Sequence, residues 1–166
     1  GRHWNSRGGG HEKPLGYDVL QPTGEVTPAL FITDNPESEW PKWDKVTRFE
    51  GFKWQGYTLD EKRAPTFRYH WHDAGIEESF GVSGNGNKPG GEPTLTRTVR
   101  ISGTLPAQAW FRIATAGAIE SKDGVFLCQD GVAKFRVTAP GARIAGRNLV
   151  IPARPGTMTL VYRWAE

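Results

Sequence analysis

Two histidines two residues apart, in Thr66-Phe67-Arg68-Tyr69-His70-Trp71-His72, carry the sharpest chemical signal in this sequence. On an extended strand, residues i and i+2 share a face, with side chains roughly 6–7 Å apart. Two imidazoles at that separation suit one Zn²⁺ or Cu²⁺, given a third ligand. His3, His11, Asp73, Glu77 and Glu78 are candidates for the third position. The plainer reading sets His70 and His72 beside Arg68 on a polar, solvated sheet face.

Aromatic residues offer a second kind of chemistry. Trp40 and Trp43 lie in a Pro-containing polar stretch, Glu39-Trp40-Pro41-Lys42-Trp43-Asp44. Exposed rings beside carboxylates are what sugar stacking requires, with the C–H face of the sugar on the ring and its hydroxyls on Asp, Glu or Asn. Trp4 could serve in the same way. Large aromatics usually bury, however, and on the plainer reading these rings form a lid over the fold. Trp54, Trp71, Trp110 and Trp164 sit in strand-like patterns and are expected in the core. Glycosidase chemistry would need two acids about 5–10 Å apart in a cleft. Asp73, Glu77, Glu78 and Glu120 are available, but solvated strand ends account for them equally well. There is no Gly-x-Ser-x-Gly elbow, and the Gly81-Val82-Ser83-Gly84-Asn85-Gly86 run lacks the following helix that a phosphate loop needs.

The elements that position these residues are strands. The chain has 166 residues, about one domain's worth at roughly 150 residues each. Its 21 Gly and 12 Pro together make about a fifth of the residues, which leaves no room for long helices. From Phe49 onward a period-two pattern takes over. Phe52, Trp54 and Gly56 are expected on one face, with Lys53, Gln55 and Tyr57 on the other. After an Asp60-to-Pro65 turn, Phe67, Tyr69 and Trp71 oppose Arg68, His70 and His72, which predicts a hairpin. Gly75–Val82 is the next strand, and the Gly/Asn-rich run 84–91 is a loop. Further strands follow around Leu95–Ile101, Trp110–Ala114, Gly124–Cys128, Ala133–Thr138 and Asn148–Ile151. A last strand places Met158, Leu160, Tyr162 and Trp164 on one side. Residues 1–45, rich in Pro and Gly, read as an extended strap in which Ala29–Thr33 could pair as a strand. The expectation is one all-β domain, an antiparallel β-sandwich over residues 46–166 with that N-terminal strap packed across it.

Composition excludes several functions. No run approaches the ~18 apolar residues of a membrane-spanning helix. The net charge of +3 comes from basic residues scattered among acids, with no stripe that would bind nucleic acid. Cys128 is the sole cysteine, so the chain can form no internal disulfide, Cys-rich zinc site or Cys-x-x-Cys-His haem attachment. It reads as a small buried hydrophobe. The sequence begins at Gly1 without Met or a signal peptide, which is expected of a processed or truncated piece.

The motifs, taken in order, resemble a known family. They are Arg2-His3-Trp4-Asn5-Ser6-Arg7-Gly8-Gly9-Gly10, Pro14-Leu15-Gly16, Phe49-Glu50-Gly51-Phe52, Trp54-Gln55-Gly56-Tyr57-Thr58-Leu59-Asp60 and Pro65-Thr66-Phe67-Arg68-Tyr69. Leu95-Thr96-Arg97-Thr98-Val99, Trp110-Phe111-Arg112 with Ile119-Glu120, and Val161-Tyr162-Arg163-Trp164 continue the match. The pattern is similar to a β-rich domain of large exported proteins from planctomycetes and their relatives. These proteins carry c-type cytochrome domains and are often associated with sugar dehydrogenase-like modules. The resemblance implies an extracytoplasmic location, periplasmic or secreted, and a parent protein or cytochrome domain as partner. It also implies that a first strand upstream is missing here. Arg63 stands where the family usually has a turn glycine, and His70-Trp71-His72 departs from its pattern. Any role of those histidines is therefore particular to this chain.

Three functions follow as expectations. The first is a non-catalytic accessory or interaction module of an exported, cytochrome-associated oxidoreductase-type protein. The second is a carbohydrate-binding module that stacks polysaccharide on Trp40 and Trp43. The third is a small metal-dependent enzyme centred on His70 and His72 with Zn or Cu.

Overall fold

The computed structural model describes residues 28–41, 50–84, 93–131 and 133–164. Among these there are twelve strands and no helix. In order they are β1 (Leu30–Ile32), β2 (Phe52–Leu59), β3 (Pro65–Trp71), β4 (Ala74–Ser83), β5 (Thr94–Gly103) and β6 (Ala109–Thr115). There follow β7 (Ala118–Lys122), β8 (Val125–Asp130), β9 (Ala133–Thr138), β10 (Arg143–Ala145), β11 (Asn148–Pro152) and β12 (Gly156–Trp164). They form two antiparallel sheets, a four-stranded one in the order β1-β6-β11-β10 and an eight-stranded one in the order β2-β3-β4-β5-β12-β9-β8-β7. The chain is an all-β sandwich.

Alternation explains how the sheets meet. Phe111, Ile113 and Leu149 of the smaller sheet are fully buried against Val99, Ile101, Val137, Leu160 and Tyr162 of the larger. The Tyr162 hydroxyl donates to the Ile113 carbonyl at 3.0 Å, so the ring spans the sandwich with its polar tip satisfied. Cys128 is buried in the same core, as expected of a lone cysteine beside Phe126 and Leu127. Of the strap, only residues 28–41 are described. Within them, Leu30–Ile32 joins the smaller sheet beside β6, with Leu30 opposite Phe111.

The β2–β3 hairpin closes through Asp60. Its carboxylate accepts from the backbone N–H of Lys62 and Ala64, and its carbonyl accepts from Arg63. Arg63 has φ 63°, the left-handed conformation that glycine takes most readily. The expected face assignment of β2 needs one correction. Trp54 pairs with Tyr69 and Gly56 with Arg68, so Gln55 is an extra residue, a β-bulge. Gly56 accommodates it with φ 106°. The bulge advances the alternation by one, so Tyr57, opposite Phe67, joins Phe52 and Trp54 on the inner face.

Candidate functional site

The two histidines line different cavities. β3 ends at Trp71, and His72 begins the turn into β4 with φ 52°, off the strand alternation. Its backbone N–H donates to the Gly51 carbonyl at 3.0 Å, and its ring stands edge-on to Trp71 at 5.0 Å. A Cβ at residue 51 would lie 2.7 Å from His72 Nε2, so Gly51 leaves the imidazole its place. His72 lines a cavity of 250 Å³ with Leu30, Phe31, Phe52 and Trp71. His70 instead lines an open polar groove of 530 Å³ with Arg68, Asp73, Glu77, Arg100 and Ser102. Among the described residues, no three His, Cys, Asp or Glu side chains come together as a metal site. His3 and His11 lie outside the described residues.

The carboxylates separate too. Glu77 and Glu78 occupy opposite faces of β4, Asp73 sits in the β3–β4 turn, and Glu120 lies on β7 at the far edge of the large sheet. Glu77 pairs with Arg68 at 2.8 Å on the exposed outer face. Glu78 is buried. One of its oxygens accepts from the Tyr69 hydroxyl and the other from the Arg97 guanidinium, which also lies 4.9 Å from the centre of the Phe111 ring. Burial, reinforced by the negative charge of Glu78, pushes the Tyr69 phenol far above its usual range.

Trp40 is not an exposed platform. It is 4 % exposed, donates its indole N–H to the Pro36 carbonyl, and stacks between Phe31 and the Arg112 guanidinium. With Ala145 and Val150 it forms a small second core on the outer side of the four-stranded sheet. It is a lid, the plainer of the two sequence readings. Trp43 and Trp4 lie outside the described residues, as does the loop 84–91 beyond Gly84.

The exposed aromatic that the fold does present is Trp54, which the sequence pattern assigns to the core. Trp54 is 59 % and Tyr57 61 % exposed, and both flank Phe67 with ring centroids 6.0 and 6.1 Å away. Phe80 meets Phe67 edge-on at 5.9 Å, and Leu59 (49 %) and Val82 (74 %) extend the strip. These residues occupy the inner face of the large sheet, but the smaller sheet covers only part of that face. Phe52, Tyr69 and Trp71 pack on the core, whereas Phe67 lies past the cover. The Glu78–Arg97–Tyr69 cluster marks the boundary: Glu78 stands directly opposite Phe67 on the neighbouring strand. One sequence signal points to the strip. The apolar positions 52 and 54 are followed by 57 and 59, a broken period with Gly56 in the gap, which is a bulge signature.

Compared with family models, curated proteins and solved structures, this chain matches none. An apolar, ring-lined surface beside an open strand edge supplies desolvation and shape to a binding partner. The strip brings together no nucleophile or acid–base pair among the described residues.

Proposed function

We propose that this chain is a non-catalytic interaction module that docks a macromolecule on the aromatic strip of Trp54, Tyr57, Phe67 and Phe80 and on the adjoining edge of β2. The resemblance to exported, cytochrome-associated proteins supports a protein partner of that setting, such as a cytochrome domain or the remainder of a parent chain. The observation that carries the reading is the exposure of large aromatic residues on a sheet face that is core elsewhere. Contiguous apolar surface of this kind is characteristic of interaction sites.

Ring geometry favours a protein over a polysaccharide. A flat sugar chain stacks on coplanar platforms, whereas Trp54, Tyr57 and Phe80 are each inclined to the Phe67 ring, by 41°, 51° and 71°. The carboxylate opposite Phe67, Glu78, has both oxygens engaged already. The test is titration calorimetry against a cytochrome domain, with co-sedimentation on insoluble polysaccharide as the second arm. The Trp54→Ala, Tyr57→Ala double variant should weaken protein binding by about ten-fold or more while leaving the melting temperature nearly unchanged. Selective loss of polysaccharide retention in that variant would move the function to carbohydrate binding. Unchanged binding in both arms would refute the proposal.

A further inference from the structure

We infer that the strip and edge form a self-association surface for a second copy of this chain, joined by antiparallel β2–β2 pairing centred on the Gln55–Gly56 bulge. This rests on the reading of the strip as an interaction surface and sets a second copy of the chain on it as a competitor of the heterologous partner.

Among the described residues, the two edge strands of the large sheet differ in protection. β7, at one end, is five residues long and carries Glu120 and Lys122. β2, at the other, runs eight residues and carries a single charge, Lys53, with no proline and no acid. Charges, prolines and shortness are the usual devices that keep an edge from pairing, and β2 has few of them.

The register of β2 also suits pairing with a copy of itself. In a two-fold antiparallel pair with both copies facing the same way, opposed residues must share a face. The bulge sets the faces of β2: Phe52, Trp54, Tyr57 and Leu59 point inward, while Lys53 and Thr58 point outward beside His70 and Thr66. A two-fold axis between Gln55 and Gly56 sets Trp54 opposite Tyr57 of the second copy, Phe52 opposite Leu59, and Lys53 opposite Thr58. Every one of those pairs matches in face. Aromatic meets aromatic on the inner side, polar meets polar on the outer, and the lone charge meets a hydroxyl. The two bulges oppose each other, so the strands keep equal length. Aromatic cross-strand pairs are among the more stabilising contacts in sheets. An aromatic side chain carries about 150–250 Å², and Trp54 and Tyr57 are still 59 % and 61 % exposed, so four such rings, two leucines and two strand edges supply a large part of the ~1,000 Å² expected of a specific interface.

The experiment combines sedimentation velocity with a disulfide trap. The wild-type chain should form a dimer whose fraction rises with concentration through the micromolar range, and Tyr57→Lys should weaken it by about ten-fold or more. A Lys53→Cys chain mixed with a Thr58→Cys chain should cross-link under mild oxidation, while each alone should not. The buried Cys128 stays out of that chemistry. A monomer at every concentration overturns the second-copy inference, and so does a dimer that fails to give the mixed cross-link. Neither result touches the docking proposal if Trp54→Ala, Tyr57→Ala still releases a cytochrome domain; loss of that effect is what would sink docking.

Discussion

Along β4, Ala74 and Ile76 are buried beneath the smaller sheet, whereas Val82, on the same face of the same strand, is 74 % exposed. The neighbouring strands repeat the contrast: Trp71 is buried on β3 while Trp54 and Tyr57 are open on β2. Composition does not separate the two regions, since both are rows of aromatic and aliphatic residues. Cover does. Four strands, two of them only three residues long, cannot shield the face of an eight-stranded sheet. An apolar residue type thus reports which face a side chain occupies, and the extent of the opposing layer decides whether that face is core or contact surface.

The contrast can be broken most severely from the covered side. Phe111→Ala should cost about 3–5 kcal/mol, read from urea unfolding, because it empties the centre of a closed core. Arg97→Ala should come next, at about 3 kcal/mol or more, since it strands a buried carboxylate. Replacing the pair together, as Arg97→Met with Glu78→Leu, should cost clearly less; equal costs would mean the ion pair is not what holds the boundary. Tyr69→Phe, which removes a hydrogen bond to that same carboxylate, should cost about 1.5–3 kcal/mol. Trp54→Ala on the open side should stay within about 1 kcal/mol despite deleting the largest side chain, and a larger loss would place Trp54 under a cover. A further effect is alkaline. Burial pushes the Cys128 thiol from 9.0 up to about 12, so the folded chain keeps a proton that the unfolded chain releases. Stability should therefore fall as pH rises from 9 towards 12, with Tyr69 acting in the same direction. Cys128→Ala should flatten the thiol's share of that decline in pH-dependent unfolding.

Much of the fold was legible in the sequence. Period-two alternation placed Leu95, Arg97, Val99 and Ile101 on one face of β5, and Leu160 and Tyr162 inward on β12. The hairpin turn at Asp60 was announced by its residue types. What failed did so for local reasons. Strict alternation sent Tyr57 to the wrong face because one extra residue resets the phase, and it kept His72 on the strand although the chain had already turned. β7 and β10 were missed, being short and half polar. The exposure of Trp54 was beyond any local reading, because it depends on where a sheet formed by residues 30–32, 109–115 and 143–152 stops.

The strand order also sets a schedule for folding. β12, the last described strand to be synthesised, is placed in the middle of the large sheet, where β5 pairs with it on one side and β9 on the other. Until residues 156–164 have been translated, the β2–β5 meander and the β7–β9 meander share no hydrogen-bonded strand. Pairings this distant along the chain fold slowly, over milliseconds to seconds, and leave strand edges bare in the interval. A chain stalled before Gly156 thus exposes two sticky edges where the folded protein keeps its seam, so its exposure to misassembly during synthesis is governed by the nine residues of its last described strand.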